Sequence, residues 1–317
     1  MKIVVVAGGS GFIGSHLCDV LIDRGCFVVC IDNFITGNKA NIAHLKNSKS
    51  FELIEEDISS PGFIKIIQDK YKSIDEIYNL ASPASPVDYV LYPVETLMVG
   101  SFGAKNLLDL ALKYNARILM ASTSEVYGDP LEHPQKEEYW GNVNPVGVRS
   151  CYDEAKRFME AITSTYIRKY SVAGRISRIF NTYGPRMRLN DGRVVPNFIP
   201  QALNNKDITV YGDGLQTRSF CYVSDLVEGF ILLMKSDVTT PVNLGNPEER
   251  TILDFAKSII SMVNSNSKII HLELPGDDPQ RRKPDISKAE NLLGWSPKVS
   301  FEEGISKTVK YFKNNNQ

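Results

Sequence analysis

No stretch of this sequence is long and apolar enough to suggest a membrane span. The apolar run that follows Lys2, Ile3–Ala7, stops at glycine and is too short for a secretory leader. There is no excess of either charge. Lys and Arg number 36 against 37 Asp and Glu, and the net charge of −1 lacks the basic footprint of a nucleic-acid binder. The five cysteines, Cys18, Cys26, Cys30, Cys151 and Cys221, form no C-x-x-C pair. Their odd number and scattered spacing exclude a disulfide framework or a zinc site. They read as reduced packing residues of a cytoplasmic protein, with no metal expected. Heptads, internal repeats and low-complexity segments are absent. The polar end, Lys313–Gln317, is expected to fray.

What is present is a strong alternation. Ile3–Ala7, Phe27–Ile31, Phe51–Ile54, Glu76–Leu80 and Arg117–Ala121 read as strands buried on both faces. Between them Phe12–Arg24, Pro61–Tyr71 and Val94–Tyr114 carry helical spacing, and Cys151–Tyr170 is a further helix before a strand around Val172–Ile179. Such βαβ units predict an α/β fold, a Rossmann-type doubly wound parallel sheet. Residues 181–195 read as a long loop, rich in Gly, Pro, Asn and Arg, and loops of that length usually carry function. Beyond it, helices at Asn197–Asn204, Ser224–Met234, Thr251–Val263 and Ser287–Leu293, with a strand at Ile208–Tyr211, suggest a smaller C-terminal substrate-binding α/β domain. The expected division is 1–181 for the nucleotide domain, with a segment near 217–245 returning to it, and 182–317 for the smaller one.

The first strand ends in Ala7-Gly-Gly-Ser-Gly-Phe-Ile-Gly14, with Gly8, Gly11 and Gly14 in G-x-x-G-x-x-G spacing. A strand-to-helix turn of this kind needs backbone angles and close approaches that side chains forbid. It sets a pyrophosphate on the free N–H groups of the helix that begins at Phe12 and Ile13. A glycine-rich turn without a ligand is the plain alternative, but the strand before, the helix after and an acid at the right distance all agree. That acid is Asp32, at the end of the second strand, placed to accept the adenosine ribose hydroxyls. It would repel a 2′-phosphate, and Asn33 and Phe34 bring no arginine, so NAD is favoured over NADP. Thr36 and Gly37, Asp57 and Ile58, and Leu80, Ala81 and Ser82 are expected along the same cofactor.

Tyr152 and Lys156 stand four apart on a predicted helix and so share a face. A free phenol, with a pKa of about 10, is no base near neutrality, but an adjacent ammonium stabilises its phenolate. Ser122-Thr123-Ser124-Glu125 follows the preceding strand, where hydroxyls can hold a substrate alcohol as Tyr152 takes its proton.

Taken together, Gly8–Gly14, Ser122–Gly128, Tyr152-x-x-x-Lys156 and Asn181-Thr-Tyr-Gly-Pro-Arg186 resemble the extended short-chain dehydrogenase/reductase superfamily over nearly the whole chain. The run Gly141–Arg157, with Pro279-Gln-Arg-Arg282-Lys-Pro-Asp-Ile286, is similar to the UDP-glucuronate decarboxylase family, also called UDP-xylose synthases. The resemblance implies oxidation at C4 of UDP-glucuronate, loss of CO2 from the resulting β-keto acid and re-reduction with NAD. It implies Tyr152 as acid/base, Lys156 as its tuner and a ribose ligand, Thr123 or Ser124 as the sugar's positioner, Glu125 near C5, and Arg282 on the sugar carboxylate. It implies Asn181, Arg186, Val195, Gln201, Tyr211 and Arg218 as nucleotide-sugar positions, and a homodimer packed through Val94–Tyr114 and Cys151–Tyr170. Met98, Val99 and Gly100 depart from the polar Lys-Thr-Asn-Thr that this family usually carries there. Within enzymes the competing reading is a nucleotide-sugar 4-epimerase or 4,6-dehydratase; outside them it is a non-catalytic NAD-binding sensor.

Overall fold

The computed structural model describes residues 1–189, 191–273 and 281–315. Six strands come first: β1 Ile3–Ala7, β2 Phe27–Ile31, β3 Phe51–Ile54, β4 Glu76–Asn79, β5 Arg117–Thr123 and β6 Gly174–Ile179. The helices among them are α1 Phe12–Asp23, α2 Phe63–Lys70, α3 Pro86–Leu91, α4 Pro93–Met98, α5 Ala104–Tyr114 and α6 Ser150–Tyr170. The second half adds β7 Thr182–Tyr183, α7 Val194–Leu203, β8 Ile208–Tyr211, β9 Thr217–Ser219, β10 Cys221–Tyr222, α8 Val223–Lys235 and β11 Val242–Leu244. It closes with β12 Glu249–Thr251, α9 Ile252–Val263, β13 Ile269–Leu272, β14 Arg281–Arg282, α10 Ser287–Leu293 and α11 Phe301–Asn315.

Seven strands form one sheet in the order β11-β6-β5-β4-β1-β2-β3, and every pairing in it is parallel. From β1 the chain builds outward to β3, then returns and builds the other way from β4. Strand order therefore reverses between β1 and β4, and open α/β sheets bind ligands in the crevice at such a point. The central strands are buried on both faces because helices cover both, whereas Phe51–Ile54, expected to be buried likewise, is the edge strand and has no buried residue. Val4 and Val6 join the core under α1 and α8, while Val5 and Ala7 join the one under α5 and α6. The last strand, β11, comes from the late segment that returns to the sheet. The doubly wound sheet expected from the alternation is thus the one observed.

Several local expectations are corrected. The run Val94–Tyr114 is not one regular helix: α4 and α5 are joined by a π turn, Val99–Gly103. The short helix α3 was not foreseen; Pro86 at its start and the Ser85 side chain, which accepts the Asp88 N–H, set it off from the loop. The 181–195 loop contains β7, which pairs with β10. Of the polar end expected to fray, residues 313–315 form the last turn of α11, and Asn316 and Gln317 lie outside the described residues. Phe301, Ile305, Thr308 and Phe312 recur at helical spacing there, and all four are buried. No helix among the described residues is long and apolar enough to cross a membrane.

Candidate active site

A cleft of about 1270 Å³ runs from the N-terminus of α1, past the ends of β4 and β5, to the second half of the chain. At its first end, Gly8 has φ +75°, and a side chain on it would press within 2.7 Å of the Ala81 backbone nitrogen. A Cβ on Gly14 would sit 2.1 Å from the Gly8 carbonyl oxygen. Only glycine lets α1 start this close to β1. Gly11, Phe12, Ile13 and Gly14 line the cleft, and α1 begins with no side-chain cap and no acid in its first turn. Those free N–H groups make a ready anion cradle.

Asp32 is buried beside this cradle, its two oxygens accepting the N–H groups of Ser10 (3.0 Å) and Phe34 (2.9 Å). Gly37 packs against Ser10 and Asp32 too closely for any side chain. Asn33 donates to Asp57 at 3.1 Å, and Ile58 is buried with its carbonyl accepting from Asn106. Thr36, Leu80 and Ser82 line the cleft; Asp32, Asn33, Phe34, Gly37, Asp57, Ile58 and Ala81 do not reach its lining.

At the centre, α6 brings Tyr152 and Lys156 to the end of β5. Lys156 Nζ donates to the Ala121 carbonyl at 2.8 Å and lies 5.7 Å from the centre of the Tyr152 ring. Burial pushes the Lys156 ammonium down to about 8. Burial also pushes the Tyr152 phenol up, while a hydrogen bond with Thr123 opposes it. Thr123 caps the turn after β5 by accepting the Glu125 N–H at 3.2 Å. Ser124 is buried in the cleft wall. Ser122 also lines the cleft, but its hydroxyl donates to Glu160 at 2.6 Å.

Glu125 is held by two guanidinium groups. Arg282 grips both its oxygens, and Arg149 takes one from another side. Burial alone would push the Glu125 carboxyl up; the charges of Arg282 and Arg149 override it and hold it below its usual range. Arg282 arrives on β14, which pairs with β9 and sets Arg282 opposite Arg218. Its Nε is buried without a partner. Pro279 and Gln280 of the motif that pointed to Arg282 lie outside the described residues.

At the far end the cleft is lined by Asn181, Val195, Tyr211 and Arg218. One expected residue takes another place. Gln201 does not reach the lining, because its amide bonds both the side chain and the backbone of Thr209. Arg186 also lines the cleft, its guanidinium paired with Asp19 of α1 at 2.7 Å.

Three cleft residues escaped the sequence reading. Tyr89 of α3 stacks on Tyr152, Arg149 holds Glu125, and Arg193 is paired with Asp191 while its charge reaches Tyr152. Arg149 had a signal, standing one turn before Tyr152 on the same face. Tyr89 had none, since α3 was not foreseen. Among the described residues no cluster of His, Cys, Asp and Glu could hold a metal, and all five cysteines are unpaired and buried.

The sequence pattern of the GDP-mannose 4,6 dehydratase family matches residues 5–308. UDP-glucuronic acid decarboxylase 1 of Xenopus tropicalis is 53% identical over 312 residues, spanning 98% of this chain and 72% of that protein. UDP-glucuronic acid decarboxylase 4 of Arabidopsis thaliana is also 53% identical, over 98% of this chain and 68% of its own. Among solved structures, the UDP-glucose 4-epimerase of Thermotoga maritima with UDP-glucose superposes with a TM-score of 0.92 at 27% identity, over 100% of both chains. The UDP-glucuronic acid 4-epimerase of Bacillus cereus, in complex with UDP-glucuronic acid and NAD, gives 0.86 at 28% identity, over 99% of this chain and 100% of that one. Sharing this fold from end to end, and half its residues with decarboxylases along nearly its whole length, the chain belongs to the extended short-chain dehydrogenase/reductase superfamily, in its NAD-dependent epimerase/dehydratase family.

Proposed function

We propose that this chain is an NAD-dependent UDP-glucuronate decarboxylase that forms UDP-xylose. The observation that carries the reading is the Arg282–Glu125 pair, a guanidinium and a carboxylate set inside a Tyr152–Lys156 oxidation site. The names of the relatives at 53% identity support it.

The glycine cradle, which a single Cβ would fill, fits a dinucleotide. Gly8, Gly11, Gly14 and the first turn of α1 would hold its pyrophosphate, Asp32 the adenosine ribose, and Tyr152 and Lys156 the nicotinamide end. Bound there, NAD supplies a reversible hydride acceptor for a sugar carbon. The protein's own part is proton handling and orientation. Tyr152 Oη takes the C4 hydroxyl proton, with the Lys156 ammonium stabilising the phenolate and the Thr123 or Ser124 hydroxyl holding the same oxygen. A ketone at C4 is β to the C5 carboxylate. Loss of CO2 then breaks the C5–C6 bond and leaves its electron pair in an enolate facing Tyr152. C5 gains a proton in the region of Glu125, and Tyr152 gives its proton back as the C4 hydroxyl re-forms. One proton enters, CO2 leaves, and there is no net redox change. Arg282 would bind the sugar carboxylate with its planar fork. Asn181, Val195, Tyr211 and Arg218 would hold the UDP moiety.

We read 1–181 with the 217–245 return as the cofactor unit and 182–317 as the sugar-nucleotide unit. The unpaired cysteines fit a cytoplasmic setting. A homodimer is supported by exposed apolar side chains on the α3–α6 face, among them Leu91, Val94, Leu97, Phe102 and Phe158. A second reading, 4-epimerisation, is favoured by the likeness to the UDP-glucuronic acid 4-epimerase. Incubation with UDP-glucuronate and NAD separates the two: release of CO2 with UDP-xylose supports decarboxylation, whereas UDP-galacturonate without CO2 overturns it.

A further inference from the structure

We propose that Arg149 is a positioning residue, the standing counter-ion that keeps Glu125 anionic while Arg282 turns from Glu125 to the carboxylate of an acidic sugar. The proposal rests on the decarboxylase reading, and three observations carry it. Two guanidiniums serve one carboxylate, Arg282 from β14 and Arg149 from the start of α6. Those three groups carry one more positive than negative charge, and Asp153 beside Arg149 is pushed by burial toward its neutral form, so the set complements an anionic sugar. The two arginines are also held differently. Arg282 has a buried Nε with no partner, a donor on a residue that lines the cleft. Arg149 is fixed from behind: its guanidinium lies 5.8 Å from the centre of the Tyr89 ring and 4.0 Å from Asp153. Arg282 thus keeps a buried donor that Glu125 does not use. Arg149 is the one built to stay.

Without Arg149, the exchange would strand Glu125 as a buried carboxylate with no cation, and it would take up a proton. The groups around Glu125 are Arg149, Asp153 and Tyr152 from α6, Arg282 from β14 and Tyr89 from α3; burial, followed by the charge of Glu125, raises Asp153 to about 7. A lost cation therefore moves Glu125 upward in pH.

The test compares wild-type holoenzyme with Arg149→Gln and Arg149→Lys. With Gln, kcat for CO2 release should fall about tenfold or more, and the acid limb of the kcat–pH profile should rise by about one unit. KM for UDP-glucuronate and the affinity for UDP should stay within about threefold of wild type, and Lys should restore the limb. An unmoved limb, or a raised KM with kcat unchanged, overturns the proposal. Independently of turnover and of how the Gln variant folds, a crystal structure of Tyr152→Phe with NAD and UDP-glucuronate should show Arg282 on the sugar carboxylate and Arg149 on Glu125. Arg282 still on Glu125, or Arg149 on the sugar, overturns it as well. If wild type releases no CO2 from UDP-glucuronate, the decarboxylase reading fails by itself, and the crystal structure alone then judges the exchange.

Discussion

The ring of Tyr152 lies flat on that of Tyr89, their centroids 5.0 Å apart and their planes 11° from parallel. Tyr152 comes from α6 and Tyr89 from α3, so the contact ties the proposed acid/base to a helix of six residues that does little else in the core. It fixes the direction in which the phenol points, and misplacement of a reacting group by an ångström is costly. Tyr89→Leu should lower kcat by about tenfold with NAD affinity unchanged. Tyr152→Phe should lower it by about 10²–10⁴-fold. Steady-state CO2 release and calorimetric titration with NAD check both, and a fully active Tyr89→Leu would remove the stack from the catalytic account.

Gly14→Ala should damage cofactor binding before it damages chemistry. Its methyl group would collide with the Gly8 carbonyl, and backbone has little room to yield. Overpacking of this kind costs about 1–3 kcal/mol. NAD affinity should fall about tenfold or more, measured by calorimetry, with a lowered unfolding temperature alongside.

Asp153 should make the fold pH-sensitive. Burial, aided by the charge of Glu125, raises its carboxyl from 3.8 to about 7. An acid whose folded value is raised stabilises the protein fully below its unfolded value and loses that contribution as pH rises through the folded one. The window is therefore about pH 4 to 7, and the size is on the order of 2–4 kcal/mol. Asp153→Asn carries no such charge. Its unfolding temperature relative to wild type should be higher at pH 8 than at pH 5, and an equal difference at both would count against a buried, protonated Asp153.

The exposed apolar face of α3–α6 leads to a test of association. Phe102, 57% exposed, sits in the π turn near Leu97 and Val94. Phe102→Asp would place an unpaired charge in the proposed interface and should weaken dimerisation about a hundredfold, read by sedimentation equilibrium. A wild-type protein that sediments as a monomer would end that proposal directly.

The sheet was legible because parallel strands covered on both faces must be continuously apolar and short, and Ile3–Ala7 and Phe27–Ile31 end where expected. Tyr152, Lys156 and Gly8–Gly14 were legible because their chemistry depends on local spacing. Residues joined only by the fold were not. Arg149 and Arg282 meet on Glu125 from positions 133 apart, and only the motif around Arg282 pointed there. The last helix was not read from the sequence because its apolar residues are spaced out: one face carries Phe301, Ile305 and Phe312, and that spacing decides a helix. Gln201 misled because its side chain can satisfy itself on Thr209, a partner eight residues on.

The glycine at position 100 looked like a lost polar group. In three dimensions it is a point of contact: a Cβ there would lie 2.7 Å from that of Ala155, on the helix that carries Tyr152 and Lys156 one residue or more away on each side. A larger residue at 100 would lever α6 and move Tyr152 and Lys156 with it. Position 100 is therefore closed by the body of α6 and not by one methyl group: Ala155→Gly would leave the carbonyl oxygen of residue 155 at 3.0 Å from the same Cβ, so Gly100→Asn requires α6 itself to shift.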